Sequence, residues 1–481
     1  VIGALALAAA FPKVGAVWLA PLGAAALFWA WQGASWKRAV LLGWFAGEIF
    51  FAITFAWWSS TIVHYVGAFA YLAVLAGAAI EATAWAVAGA LAALAYRYVK
   101  PGLAPLAAAA AFAFCEWLRS VGVIGAPLAQ LGYTQADTPL RVFAAYAGTY
   151  GVTFVICVLG AYLADAVRRR SAVPLAVSAG ALALAWVACW AWWPARTLAP
   201  ATIPVAAIQG NVAQSLKWSP AAFKLAVERY LEMTRAAAAQ RPQLVAWPET
   251  VITTDLSRDP DLAARISGSA RDARSTVIAG SLYSRDGALY NALYFFAPDG
   301  GVAVYRKRQL VPFAESFPGR AFLWWLPYVG TLGGGFESGD VDGVYPTTAL
   351  RVAPLICWES AFSDLAFQQI RRGAQLFVVS TDDGWFGTSA GPYQHAEIAR
   401  LRAIEFGTYV VRAAATGISG IVAPDGTWST RVGLDRQAIA TANVGLPVRT
   451  VFASVGPTAV SLLFAAIYAG CLIFGRAREN L

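Results

Sequence analysis

Cys357 is the only cysteine between residues 200 and 448, set in Pro354-Leu355-Ile356-Cys357-Trp358-Glu359-Ser360; Cys115, Cys157, Cys189 and Cys471 all lie in apolar runs. A disulfide inside that stretch is excluded, which leaves the thiol for other chemistry. A thiol attacks as its thiolate, so it needs a base or a positive neighbourhood. The two histidines suit that task poorly: His64 lies near the end of an apolar run, and His395 opens a helix beside Arg400, Arg402 and Glu405. Carboxylates and lysines remain, and two of them end strand-like runs. Glu249 follows Leu244-Val245-Ala246-Trp247-Pro248, where the proline stops the strand and the carboxylate projects at the strand–loop junction. Lys307 follows Val302-Ala303-Val304-Tyr305-Arg306. Strand ends that feed loops commonly carry reactive groups. Taken singly, each also reads as ordinary surface, Lys307 as part of a basic face with Arg306 and Arg308.

The elements that must position these groups are short and alternate in type. Strands are expected at 203–210, 244–248, 276–283, 291–297, 302–306, 350–356, 375–381, 409–414 and 418–423, and helices at 220–239, 260–273, 361–372 and 394–407. Pro298-Asp299-Gly300 and Pro424-Asp425-Gly426 signal turns. This is an α/β or α+β domain with its own core.

The rest of the chain is of another kind. Of 481 residues 59% are hydrophobic and 13% charged, with mean hydropathy +0.56. Soluble chains carry about 25% charge, so a membrane protein is expected. Apolar segments at 1–10, 14–31, 38–59, 67–98, 103–119, 142–167, 173–193 and 451–475 give eight expected helices, the first short. Residues 1–10 lack a basic start and a small-residue cleavage site and are not read as a removed signal peptide. The division is a seven-helix bundle over 1–195, a polar domain over 200–448 and a final helix at 451–475.

The net charge of +9 is not a nucleic-acid signal. Residues 1–199 carry 11 Lys/Arg against 5 Asp/Glu, whereas 200–448 carry 22 against 21. The excess sits in alternate loops, at Lys37-Arg38, Arg97 to Lys100, Arg168-Arg169-Arg170 and Arg476 to Arg478. Such loops face the cytoplasm, which puts the 200–448 domain on the opposite face of the membrane. Aromatic clusters at Trp57-Trp58, Trp190 with Trp192-Trp193, and Trp324-Trp325 suit an interfacial belt.

Together, Trp247-Pro248-Glu249, Tyr305-Arg306-Lys307 and Ile356-Cys357-Trp358-Glu359 resemble the Glu-Lys-Cys triad of the nitrilase (carbon–nitrogen hydrolase) superfamily. Further motifs narrow the match: Gln209-Gly210-Asn211-Val212 with Gln214-Ser215-Leu216-Lys217-Trp218, Leu310-Val311-Pro312-Phe313-Ala314-Glu315, and Trp385-Phe386-Gly387 with Gly391-Pro392 and Gln394-His395. With the helix–domain–helix layout, they make the chain similar to the apolipoprotein N-acyltransferase family over nearly its whole length. The resemblance implies an α-β-β-α sandwich beside a multi-pass helical domain in a bacterial inner membrane, with the sandwich in the periplasm. It implies N-acylation of a diacylglyceryl-cysteine apolipoprotein from a phospholipid donor through a Cys357 thioester, the last step of lipoprotein maturation. Glu249 would be the base, Lys307 the oxyanion partner, and Glu315 and Glu359 supporting groups; no metal or cofactor is implied. Trp218 and Asn291 fall on positions lining the acyl site. Three departures stand out: Trp358 replaces a common Tyr, Asp382 a usual Asn, and Ala414-Ala415 a Thr-Asn pair.

Two features remain open on the residues alone. The run Phe317–Phe336, with Trp324, Trp325 and Gly333-Gly334-Gly335, reads either as a buried loop or as a mobile lid that dips into the membrane. Glu48, Glu81, Glu116 and Arg119 lie in apolar segments, where charge is costly. Glu116 and Arg119 can neutralise each other at i,i+3, while Arg119 could also meet a lipid phosphate. Rival readings are a membrane-anchored amidase or nitrilase that passes its acyl group to water, and a transporter or scaffold carrying an inactive domain.

Overall fold

Strand β1 (Ile203–Gln209) sets the plan of the polar unit, because its side chains alternate between two cores. In the computed structural model, Val205 and Ala207 face one apolar cluster and Ala206 and Ile208 the other. Residues 1–122, 125–198, 200–312, 314–316, 335–340 and 343–476 are described. The chain divides into two compact units, one formed by Val1–Trp193, Ser389–Glu397 and Thr450–Leu481, the other by Pro194–Thr388 and Ile398–Arg449.

In the second unit one sheet holds β2 (Leu244–Ala246), β3 (Ile252–Asp255), β4 (Thr276–Arg285), β5 (Ala288–Phe296) and β6 (Val302–Arg306) beside β1. The other holds β7 (Tyr345–Pro346), β8 (Arg351–Ile356), β9 (Leu376–Thr381), β10 (Tyr409–Ala414), β11 (Ser419–Val422) and β12 (Trp428–Val432). A last strand, β13 (Ala438–Val444), returns to pair antiparallel with β1. The orders are β13-β1-β2-β4-β5-β6, with β3 on β4, and β12-β11-β10-β9-β8-β7.

Val205, Ala207, Ile278 and Tyr305 of the first sheet pack against Val352, Ile356, Val378 and Val411 of the second, forming the inner core. The outer face of the first sheet, including Ile208, Val245, Trp247 and Val277, is covered by Tyr230 and Met233 of helix Pro220–Ala237 and by Leu262, Ile266 and Ala270 of helix Pro260–Ala273. Both helices start where local chemistry demands: Ser219 and Asp259 accept the backbone N–H groups of Ala222 and Leu262, and Pro220 and Pro260 occupy the first turn. On the second sheet Phe377 meets Phe406 of helix Gly391–Phe406 edge-on at 5.7 Å. Helix, sheet, sheet and helix stack in that order.

Strand direction gathers the site. β1, β2 and β4 run parallel, and two antiparallel steps bring β6 into the same sense. In the other sheet β8, β9 and β10 are parallel. The loops carrying Glu249, Lys307, Cys357 and Asp382 therefore all leave carboxyl ends of co-directional strands, the usual place for a ligand crevice in such sheets.

The first unit is built from apolar helices. Among the described residues, four segments are long and apolar enough to cross a membrane: Phe69–Tyr98, Pro139–Arg169, Val173–Ala191 and Pro457–Phe474. Helices Ile2–Ala9, Leu19–Trp31 and Ala104–Leu118 are shorter, and Trp36–Thr54 carries Lys37, Arg38 and Glu48. Between the apolar segments expected at 38–59 and 67–98 lies the short helix Trp58–Val66. Small residues set the helix contacts: a Cβ on Gly43, Gly47 or Gly89 would collide with the partner helix, so Trp36–Thr54 and Phe69–Tyr98 approach closely only because these positions are glycine.

Arg119 is buried in this unit. Its guanidinium donates to Glu81 and Glu116 at 3.0 Å each and to the carbonyls of Ala126 and Leu128 at 2.6 Å. It closes the irregular chain after helix Ala104–Leu118. The i,i+3 pair with Glu116 is present, and Glu81 is an added partner.

Candidate active site

Glu249 stands two residues past the backbone bond from Trp247 N–H to the Ile278 carbonyl, 2.8 Å long, that ends the β2 pairing. Trp247 anchors the turn: its indole donates to Thr234 at 2.9 Å, its ring lies 5.3 Å from Tyr230, and its carbonyl accepts from Ser380 at 2.9 Å. The turn passes over Gly280 so closely that a Cβ there would lie 2.7 Å from Glu249 Cα. Gly280→Ala is thus expected to cost about 1–3 kcal/mol of stability and, by displacing the carboxylate, to slow turnover by about tenfold or more. Thermal unfolding in detergent and a rate assay on the same preparation check both.

The Glu249 carboxylate is met by three donors. Asn291 Nδ2 reaches Oε1 at 2.7 Å, Lys307 Nζ reaches Oε1 at 3.0 Å, and the Asp382 backbone N–H reaches Oε2 at 3.0 Å. Burial pushes its carboxyl upward, but Lys307, the Asn291 amide and Lys217 outweigh that and hold it below the usual carboxylate range. Lys307 begins just past β6, where its N–H donates to the Asn291 carbonyl at 2.8 Å. Its ammonium also donates to Glu315 Oε1 at 2.9 Å. Burial would lower it; the charges of Glu249 and Glu315 raise it, so it stays protonated. Glu315 is held in turn by Asn291 Nδ2 at 2.9 Å and by the Val311 N–H at 2.8 Å. Asn291, on β5, bridges the two carboxylates.

Cys357 ends β8 with φ +50°, a left-handed conformation costing about 1–2 kcal/mol for a non-glycine residue. It is partly buried at the end of the inner core. Burial raises the thiol well above its ordinary value; the Glu249 charge adds to this, while Lys307 and a hydrogen bond with Thr381 work against it. The resting group is therefore a thiol.

Glu359 joins two loops. Its Oε1 accepts from the Tyr305 hydroxyl at 2.8 Å and from the N–H groups of Arg308 and Gln309 at 2.7 and 3.2 Å, while Oε2 accepts from the Ile356 N–H at 2.7 Å. The strands that deliver Lys307 and Cys357 are thus fixed to one another. Trp358 is buried with its ring 5.7 Å from that of Phe362. Trp218 lies largely exposed, 6.0 Å from Lys217 Nζ. Trp324 and Trp325 lie outside the described residues.

One group was not singled out from sequence. Lys217 is buried and donates to the Asp382 carboxylate, to Thr250 Oγ1 at 2.8 Å and to the Glu249 carbonyl at 3.5 Å. Asp383, the next residue, pairs with Arg412 at 2.6 Å. Where Ala414-Ala415 stands, the backbone makes the ties: Ala415 N–H donates to the Thr381 carbonyl at 3.1 Å, and the Ala415 carbonyl accepts from Asn211 N–H at 3.0 Å. Among the described residues no cluster of His, Cys, Asp and Glu has the arrangement of a metal site.

The carbon-nitrogen hydrolase family matches residues 204–451, and the apolipoprotein N-acyltransferase N-terminal domain matches residues 3–162. An apolipoprotein N-acyltransferase of Methylococcus capsulatus is 34% identical, over 87% of this chain and 84% of its own. The chain belongs to the apolipoprotein N-acyltransferase family. An apolipoprotein N-acyltransferase of Photobacterium profundum is 29% identical over 84% of this chain and 80% of its own. Among solved structures, a carbon–nitrogen hydrolase superfamily protein of Xanthomonas campestris covers 56% of this chain and 96% of its own at 17% identity, with a TM-score of 0.40.

Proposed function

We propose that the chain transfers an acyl group from a phospholipid to the α-amine of a diacylglyceryl-cysteine apolipoprotein, by way of a thioester on Cys357. The observation that carries this reading is a thiol kept protonated by burial beside Glu249, a carboxylate that Lys307 and Asn291 keep ionised. That is the resting state of a nucleophile and its base.

As sulfur attacks the ester carbonyl, Glu249 takes the thiol proton. The oxyanion that forms is met by Lys307 Nζ and by the backbone N–H after Cys357, and donors placed in advance of the charge contribute several kcal/mol. Two of the three ammonium N–H bonds of Lys307 are directed at Glu249 and Glu315, which fixes the third. The carbon–oxygen bond breaks, Glu249 returns its proton to the lysophospholipid alkoxide, and the thioester remains. In the second half the amine attacks the thioester carbonyl, Glu249 accepts the amine proton, the C–S bond breaks, and the proton goes back to sulfur.

The helical unit and the polar domain suit a substrate pair that both reside in lipid. The expected setting is a bacterial inner membrane with residues 200–448 on the periplasmic side, following the Lys/Arg loop pattern. Protein reconstituted with phospholipid and a synthetic diacylglyceryl-cysteine peptide is expected to yield N-acylated peptide plus lysophospholipid in equal amounts. Release of free fatty acid with the peptide unchanged would favour the amidase-type reading and overturn this one.

A further inference from the structure

Glu249 is flanked by more charge than the acyl-transfer steps use. Lys307 and Glu315 approach from the β6 side, Cys357 from the end of β8, Asp382 from the end of β9, and Lys217 from the loop after β1. Asp383 is neutralised by Arg412, and Tyr230 lies behind Asp382 as a neutral phenol whose proton burial holds on. Lys307 and Lys217 thus stand among three carboxyl groups, Glu249, Glu315 and Asp382, with the buried Glu359 beyond Lys307.

Asp382 serves Glu249 twice. Its backbone N–H holds Glu249 Oε2 at 3.0 Å, and its side chain takes Lys217, whose ammonium also donates to Thr250 at 2.8 Å and lies 3.5 Å from the Glu249 carbonyl. Lys217 and Asp382 are both buried, so water screens neither charge. We infer that the Lys217–Asp382 pair is a positioning device that sets the proton affinity of Glu249: Lys217 braces the Glu249 turn, and the Asp382 carboxylate cancels a cation that would otherwise make Glu249 too weak a base. The inference rests on the role of Glu249 given above.

Two substitutions pull in opposite directions. Asp382→Asn keeps shape and backbone N–H but leaves Lys217 uncompensated, so the Glu249 carboxylate is over-stabilised. The acid limb of the pH–rate profile moves down by about one unit, and the plateau falls about tenfold because the base is weaker. Lys217→Met leaves Asp382 as an added negative charge, and the acid limb moves up by about one unit. The double variant returns the limb to within a few tenths of wild type.

The readout is the rate of Cys357 alkylation by iodoacetamide from pH 4 to 9, followed by peptide mass mapping, alongside acyl transfer from phospholipid over the same range. Alkylation needs no lipid substrate, so a wild-type protein that is alkylated with a clear acid limb yet never acylated fails the transfer reading and not this one. Opposite shifts in the two single variants, cancelled in the double, support the device. Limbs that stay in place or move the same way, or two single variants that both fail to fold, make the pair a structural brace and overturn it.

Discussion

The Cys357→Ala variant is expected to lose both halves of the transfer, with turnover reduced on the order of 10⁴-fold or more, while remaining folded. Removing a nucleophile removes the covalent route that depends on it. The fold has little reason to change. The Glu249, Asn291, Lys307 and Glu315 hydrogen bonds do not involve the sulfur, and Glu359 holds the loop through the Ile356 N–H rather than through Cys357. A melting temperature within a few degrees of wild type, measured beside the transfer assay, checks this. Activity at a tenth of wild type would place the nucleophile elsewhere.

Lys307→Met is expected to be damaging in two separable ways. Its ammonium stands between Glu249 at 3.0 Å and Glu315 at 2.9 Å, and both carboxylates also share the Asn291 amide. Without the cation, two buried carboxylates cannot both stay ionised, and one takes up a proton. The base is compromised together with the oxyanion partner, so thioester formation should fall about 10³–10⁴-fold. Loss of one side of a buried pair also costs about 3–5 kcal/mol of stability. Lys307→Arg separates the effects: the charge is kept, but a planar fork replaces a compact ammonium. Stability should largely recover and activity should not. Single-turnover acylation followed by mass, with thermal unfolding of the same samples, reads both quantities.

What could be read without coordinates follows from how local each signal is. β6 and β10 were legible to the residue, since Val302–Tyr305 and Tyr409–Val411 are compact runs rich in β-branched and aromatic residues. β12 and β13 were not anticipated, because Trp428–Val432 and Ala438–Val444 mix polar and small residues on partly exposed strands whose pairing is set by distant partners. The short helix Trp58–Val66 was hidden for a similar reason: a nine-residue polar-and-aromatic stretch between apolar runs looks like a loop. In the helical unit, Leu19–Trp31 has 13 helical residues and Trp36–Thr54 carries Lys37, Arg38 and Glu48, so apolar runs alone do not give helix lengths.

At the site, Glu249 and Lys307 drew notice because each closes a strand, and their grouping with Cys357 came only with the family resemblance. The double contact of Asn291 was not legible, since a mid-strand asparagine gives no hint of what it faces. Lys217 and Asp382 are 165 residues apart, and no spacing rule connects them. Asp382 drew notice only as a departure, and its meaning came with the lysine beside it.

The central claim is a covalent acyl group on Cys357, and intact mass measurement tests it most directly. The protein is incubated with a phospholipid of defined chains and no acceptor, and then with a diacylglyceryl-cysteine peptide. The expected result is a single acyl increment that maps to Cys357, is absent from Cys357→Ala, and disappears as the peptide gains the same mass. An unmodified protein that still acylates the peptide, or an acyl group on another residue that the peptide removes, would contradict it.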